Sequence, residues 1–132
     1  MKKPIWVLES TALKIHDAAV AEHGGPPEVR DKGLLESALH QPQNLFFYEK
    51  PTLFDLAVAY AERIIKNHPF VDGNKRTAYV VMVLFLKLNG YELTANKDER
   101  VTKFIELASS KVTANDFATW LRQNTKKIEL DS

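Results

Sequence analysis

Apolar residues recur at helical spacing over most of the chain, and the clearest pattern begins at Thr52. Asp55 lies three residues later, where a carboxylate can complete an N-terminal capping box. Seven apolar positions follow the i, i+3, i+4 rule: Leu53, Leu56, Ala57, Tyr60, Ala61, Ile64 and Ile65. Pro69 disfavours helical geometry in the residue before it, so the helix should end near Asn67 or His68. Because His68 continues the apolar stripe, we expect its side chain to face the core.

A second strong pattern predicts a helix from Asn74 to about Leu88. Residues 78–86 are apolar on nearly every side, which is typical of a helix buried at the centre of a domain. Asn89-Gly90 provides the C-terminal stop. The next residues, Tyr91-Glu92-Leu93, could form a short extended segment.

Four further helices are predicted, near residues 10–22, 32–40, 97–109 and 114–124. Ser10 or Thr11 would cap the first of them, and Thr113 would cap the last. We expect Pro42 to follow the end of the second helix closely and residues 41–51 to be irregular. The aromatic residues of that segment would either cap the core or form a flap beside a substrate groove.

The sequence therefore predicts a mostly α-helical, single compact domain of about six helices around a buried central helix. Residues 5–8 are a short edge strand in one interpretation and an apolar anchor in the other. The expected domain covers residues 1–125, and residues 126–132 would form a C-terminal tail. A chain of 132 residues leaves little room for a second core.

Composition narrows the class of protein without revealing its chemistry. The formal net charge is +1, so no strong field favours nucleic acid. The chain lacks cysteine, which excludes disulfides and thiolate chemistry and is compatible with a reducing cytosol. The longest apolar run is far shorter than the roughly 20 residues that span a bilayer. We therefore expect a soluble cytoplasmic protein that binds neither membranes nor nucleic acid directly.

The loop before the predicted central helix carries the candidate chemistry. The N-terminus of a helix presents free N–H groups and a positive dipole end to anions, and Gly73 allows a phosphate to approach the backbone closely. Lys75 and Arg76 would otherwise oppose the helix dipole, so their position calls for a compensating anion. Asn74 completes this candidate phosphate site.

Asp72 and His68 could supply the remaining parts of a transfer reaction. A carboxylate beside bound phosphate is a suitable ligand for Mg²⁺, and histidine can accept a proton near neutral pH. Each residue also has a structural alternative, because a lone inward histidine is more often part of the core and Asp72 could simply cap the helix. His16 precedes Asp17, but no third metal ligand is suitably spaced, so we interpret His16 as structural.

Residues 68–76 read His-x-Phe-x-Asp-x-Asn-Lys-Arg, which resembles the signature of the Fic/Doc (Fido) superfamily in its death-on-curing branch. Further similar segments occur in the same order at residues 15–17, 23–25, 30–38, 42–43 and 89–91. The resemblance thus covers nearly the whole chain, from about residue 5 to residue 125.

The resemblance implies a role for each residue of the motif. His68 would be the general base, Phe70 a core anchor and Asp72 the Mg²⁺ ligand. The ATP phosphates would be bound by Gly73, Asn74, Lys75 and Arg76. Lys66 could assist phosphate or target binding, although a solvated charge is the simpler interpretation.

Lys75 departs from the pattern of Fic adenylyltransferases, which have a glycine there and a second arginine where this chain has Tyr79. Doc-type members with the lysine are thought to bind ATP in the reversed sense and to act as protein kinases. The implied target is a threonine of elongation factor Tu, and the implied partner is a Phd-like antitoxin that binds in trans. There are two alternatives: adenylylation of a protein hydroxyl, and a non-enzymatic role as the partner of a DNA-binding antitoxin.

Overall fold

The computed structural model describes residues 3–129, which form six α-helices and one two-stranded sheet. The helices are α1 (Glu9–His23), α2 (Lys32–Tyr48), α3 (Leu53–Asn67), α4 (Asn74–Leu88), α5 (Lys97–Ala108) and α6 (Ala114–Gln123). The strands are β1 (Tyr91–Leu93) and β2 (Thr125–Lys127), and they pair antiparallel. The predicted mostly helical class and the number of helices are confirmed. Over the described range, no helix is both long and apolar enough to cross a bilayer.

Helices α3 and α4 form the centre of the domain. Helix α3 packs against α2, α4, α5 and α6, and α4 also contacts α1 and β1. The predicted capping box at the start of α3 is present, with the Asp55 N–H donating to Thr52 Oγ1 at 3.1 Å and the Thr52 N–H donating to Asp55 Oδ2 at 2.8 Å. The α4 bounds agree with the prediction, and Ala78, Val81, Met82, Phe85 and Leu86 are completely buried. These two helices give the loop between them a rigid base.

Helix α2 corrects the prediction of an end near His40. It continues to Tyr48 with Pro42 inside it. Proline in a helix interior removes one backbone hydrogen bond and costs about 3 kcal/mol. Continuation buries Pro42 and packs Leu45 and Phe46 on the core, which offsets that cost.

The predicted irregular segment 41–51 is therefore helical through Tyr48. The core-cap interpretation holds for Leu45 and Phe46 alone, because Phe47 is 68% exposed and Tyr48 is 87% exposed.

The N-terminal segment is an apolar anchor, so the alternative of an edge strand at residues 5–8 is wrong. The side chain of Asn89 bonds both the N–H and the carbonyl of Ile5, at 2.8 and 3.0 Å, and thereby replaces a neighbouring strand. Helix α1 begins at Glu9 with Leu8 as its N-cap residue, so the predicted cap at Ser10 or Thr11 is also wrong. Buried residues on both sides of Leu8, namely Val7 and Ala12, fix this earlier start. The N–H of Ala12 donates to the Leu8 carbonyl at 3.0 Å.

Strand β2 lies across the predicted boundary between domain and tail at residue 125. Its three residues pair with β1, and the N–H of Ile128 then donates to the Gly90 carbonyl at 2.9 Å. The first residues of the predicted tail therefore contact the domain through backbone hydrogen bonds.

The hydroxyl of Tyr60 connects the N-terminal segment to α3 by a hydrogen bond, and its burial should lower the stability of the fold at alkaline pH. Its oxygen accepts the Val7 N–H at 3.1 Å, and the ring is fully buried. Burial raises the pKa of Tyr60 from 10.0 to about 12, against a smaller opposite effect of the Val7 hydrogen bond. Between these two values only the unfolded chain loses the proton, so stability should fall as pH rises from about 10 to 12.

Tyr60→Phe should lower the free energy of unfolding at pH 7 by about 1–3 kcal/mol, because the buried Val7 N–H loses its acceptor. In the parent chain, Tyr60 should lower the free energy of unfolding by about 1.4 kcal/mol per pH unit between pH 10 and 12. The variant should not show this decrease. Urea unfolding at pH 7 to 11.5 measures both effects, with exposed Tyr48→Phe as the matched control. Parallel pH curves for the parent chain and Tyr60→Phe would contradict the assignment.

Candidate active site

The loop between α3 and α4 begins with a left-handed turn at His68. This residue is the C-cap of α3, with φ 50° and ψ 55°. Arg30 stabilises the end of the helix from outside the loop: its Nε donates to the His68 carbonyl at 2.7 Å, and its Nη2 donates to the Asn67 carbonyl at 2.9 Å. A cation at this end also complements the helix dipole.

The expectation that His68 faces the core is wrong. Its side chain is exposed, because the left-handed turn takes the residue out of the apolar stripe that ends at Ile64 and Ile65. The imidazole is therefore open to a substrate, and the interpretation of His68 as a buried core histidine does not apply.

Phe70 anchors the loop at its middle. Its ring is completely buried and stacks on the His16 ring, with centroids 3.7 Å apart and planes 7° from parallel. The Asn74 side chain bonds the backbone of the same residue on both sides: its Oδ1 accepts the Phe70 N–H at 3.0 Å, and its Nδ2 donates to the Phe70 carbonyl at 2.9 Å. Because these bonds occupy the Asn74 amide, its backbone N–H is the group left to meet a phosphate.

A neighbouring segment supports the loop from its other side. Residues 28–31 run antiparallel to residues 69–71, and the Pro69 carbonyl accepts the N–H groups of Arg30 and Asp31 at 2.7 and 3.0 Å. The Val71 N–H donates in return to the Glu28 carbonyl at 3.2 Å. The loop backbone is therefore held by α1, by residues 28–31 and by its own Asn74.

Gly73 sets the start of α4. It adopts φ 81° and ψ 15°, and a methyl group on its Cα would lie 3.3 Å from Val20 Cγ1 and 3.4 Å from His16 Cδ2. Conformation and space therefore both favour glycine at this position. Within the described part of the chain, no side chain caps α4 and no acidic residue lies in its first turn. The amides of residues 74–76 thus remain available to an anion.

Asp72 lies beside this helix start, with its carboxylate fixed on both sides. Oδ1 accepts the Gly73 N–H at 2.8 Å, and Oδ2 lies so close to Gly25 that a methyl group there would approach it to 2.6 Å. The side chain is nonetheless exposed. A hard cation such as Mg²⁺ accepts one carboxylate together with phosphate oxygens and water, so this donor set fits the ion when phosphate is bound.

Two exposed cations complete the positive field. Lys75 and Arg76 occupy the first turn of α4, and Arg76 forms an ion pair with Glu22 at 3.5 Å. The side chains of Arg76 and Glu22 are 49% and 65% exposed, so the pair contributes little and can open for a phosphate.

The structure brings six of the seven predicted site residues into one shallow pocket of about 300 Å³. Its lining includes His68, Asp72, Gly73, Asn74, Lys75 and Arg76. Lys66 lies outside the lining and forms an exposed ion pair with Glu62 at 3.7 Å. The positions are therefore established, while the chemical roles of these residues remain predictions.

Three residues that support the site were not assigned to it from the sequence. Gly25 makes room for Asp72, Arg30 holds the end of α3, and His16 contacts the centre of the loop. The interpretation of His16 as structural is consistent with its burial, since it is 1% exposed. All three lie in segments that resemble the family landmarks, but a sequence gives no sign that residues more than 35 positions away meet the motif.

Comparison with known proteins identifies the family. The model of the Fic/DOC family matches residues 6–86, which include the whole pocket. Toxin Doc of Mycolicibacterium smegmatis is 43% identical over 77 residues, or 57% of this chain and 59% of that protein. Protein kinase doc of Escherichia phage P1 is 30% identical over 112 residues, or 84% of this chain and 88% of that protein. The chain therefore belongs to the Fic/DOC family.

Proposed function

We propose that this chain is a Doc-type toxin that transfers the γ-phosphate of ATP to a hydroxyl of elongation factor Tu and so arrests translation. The observation that carries the proposal is the shared pocket, in which an exposed histidine, a fixed carboxylate and an uncapped helix N-terminus lie together. The names of the two relatives, a Doc toxin and a protein kinase, support it.

The pocket suggests a division of roles in the transfer. The amides at the start of α4, with Lys75 and Arg76, would hold the phosphate oxygens. His68 would take the proton from the acceptor hydroxyl as that oxygen bonds to the γ-phosphorus and the bond to the ADP oxygen breaks. Asp72 would hold Mg²⁺, which supplies positive charge to the phosphate oxygens when bound. Such a reaction depends mainly on positioning and electrostatics, which a rigid loop provides.

Lys75 favours phosphorylation over adenylylation. A glycine at this position would leave bare backbone against which a diphosphate could lie, whereas a lysine side chain would occupy that space. Adenylyltransferases have a second arginine where this chain has Tyr79, so this chain lacks that cation for a triphosphate bound in the adenylyltransferase orientation. Both residues therefore support a nucleotide bound with its γ-phosphate at the helix start.

An antitoxin in trans is the regulatory partner that we propose, and the cytoplasm is where its target and ATP would be found. The cleft between α4 and α5 is a suitable docking groove, with a volume of about 740 Å³. Its floor includes Tyr79 and Phe104, and Val101 and Ile105 expose 51% and 58% of their surface along it. Among residues 3–129, the charged side chains that line it are Lys75, Arg76, Lys97 and Arg100, which are all basic.

These features fit an amphipathic antitoxin helix with an acidic edge. Because the cleft shares Lys75 and Arg76 with the phosphate pocket, such a helix would also cover the proposed ATP site.

ATP labelled separately at the α- and γ-phosphate tests the proposal against its alternatives. Label from the γ-position on elongation factor Tu supports the kinase. Label from the α-position would show adenylylation, and no label on any protein would favour a non-enzymatic partner of a DNA-binding antitoxin. Mass spectrometry of the modified factor identifies the acceptor residue.

His68→Ala should reduce γ-phosphate transfer by at least about 100-fold, because the general base is lost. Its exposed side chain makes little contact with the core, so the thermal unfolding midpoint should be unchanged. His40→Ala, an exposed histidine on α2, is the matched control and should keep full activity. Persistent growth arrest by the His68 variant would contradict its catalytic role.

Asp72→Asn should abolish the binding of Mn²⁺, used as a paramagnetic substitute for Mg²⁺, in the presence of a non-hydrolysable ATP analogue. The amide keeps an oxygen for the Gly73 N–H but lacks the charge that a hard cation requires. Electron paramagnetic resonance titration measures the affinity, with exposed Asp98→Asn as control. Mn²⁺ affinity equal to that of the parent chain would show that the metal is held elsewhere.

Val101→Asp combined with Ile105→Asp should let the toxin escape its cognate antitoxin. Both side chains are exposed, so charges there disturb the docking groove without opening the core. Coexpression growth assays should show arrest by the double variant and neutralisation of Tyr48→Asp, a control at an exposed aromatic residue outside the cleft. Full neutralisation of the double variant would place the antitoxin on another surface.

A further inference from the structure

His16 is the one side chain from α1 that hydrogen bonds to the active-site loop among the described residues. Its Nε2 lies 2.8 Å from the carbonyl oxygen of Asp72, which is 56 positions away in the sequence. Because a carbonyl oxygen can only accept, Nε2 must carry the hydrogen and donate it. The ring is 1% exposed and fixed by its stack on Phe70, so the direction of this donor is also fixed.

The acceptor of this bond belongs to the peptide group that orients the Asp72 carboxylate. In the Asp72–Gly73 peptide, the carbonyl accepts from His16, and the N–H donates to Asp72 Oδ1 at 2.8 Å. The C=O and N–H of one planar peptide point in opposite directions, so rotation of the plane would change both bonds together. The His16 donor therefore fixes the plane, and the plane fixes the carboxylate.

We propose that His16 is a positioning residue that aims the Asp72 carboxylate and the start of α4 through this single peptide group. The inference rests on the proposed role of Asp72 as metal ligand. A direct role for His16 in metal binding does not fit the geometry, because the ring is buried and Nε2 is already occupied. The neighbouring Asp17 is exposed on the surface of α1 and forms no bond with His16 among residues 3–129.

Two substitutions separate the donor from the ring. His16→Gln retains an N–H donor of similar reach without the aromatic stack, and His16→Phe retains the stack without the donor. Groups that orient a metal ligand typically change metal affinity by 10–100-fold when removed. His16→Phe should therefore weaken Mn²⁺ binding at least about tenfold in the presence of a non-hydrolysable ATP analogue, and His16→Gln should restore most of that loss.

A second readout does not depend on the metal. Hydrogen exchange of the Gly73 amide, measured by NMR without nucleotide, should be at least about tenfold faster in His16→Phe than in the parent chain. Comparable exchange of the buried α4 amides would show that the fold is intact. If His16→Phe does not fold, the ¹⁵N shifts of His16 in the parent chain still test the proposal, because they must report the Nε2–H tautomer.

The outcomes separate this proposal from the one on which it rests. Unchanged Mn²⁺ affinity in His16→Phe, equal losses in both variants, or an Nδ1–H tautomer in the parent chain would overturn the positioning role. Absence of Mn²⁺ binding by the parent chain with the analogue would instead overturn the role of Asp72, and the Gly73 exchange rates would still decide whether His16 fixes the loop.

Discussion

The burial of Phe70 is the constraint on which the active-site loop depends. A short loop between two helices has many possible conformations, and an anchored ring at its centre removes most of them. Asn74 bonds the backbone of Phe70 on both sides, and His16 covers its face. The backbone at His68 and Asp72, on either side of the anchor, is therefore held in place, although both side chains are exposed.

The electrostatic character of the site follows from this mechanical arrangement. Gly73 begins α4 without a side-chain cap in the described structure, and Lys75 and Arg76 follow where a carboxylate would be usual. This arrangement destabilises the free helix slightly and favours an anion at its end. In the proposed phosphoryl transfer, a preorganised positive site of this kind would lower the cost of the charge that develops.

The sequence predicted the parts of the molecule that depend on local pattern. The bounds of α4, the capping box of α3 and the Thr113 cap of α6 follow from spacing and capping chemistry, and the structure contains all three. The motif likewise predicted which residues would share the pocket. Residues that are close together in a short loop are also close together in space, so the motif alone was enough to identify them.

Predictions failed where tertiary contacts outweigh local preference. Helix α2 continues through Pro42 because the following turn buries apolar surface, and His68 turns outward because its backbone leaves the helix. Gly25, Arg30 and His16 meet the loop from distant segments, and a single sequence carries no signal of such contacts. Family resemblance marked these segments, but their contacts with the loop are visible only in the structure.

The phosphate site is tested most directly by an NMR titration of the ¹⁵N-labelled chain with a non-hydrolysable ATP analogue and Mg²⁺. We expect large downfield shifts of the Asn74, Lys75 and Arg76 amide protons, because these groups would donate to phosphate oxygens. Unchanged shifts at those three amides, with saturable shifts elsewhere, would contradict the assignment of the α4 N-terminus as the phosphate site.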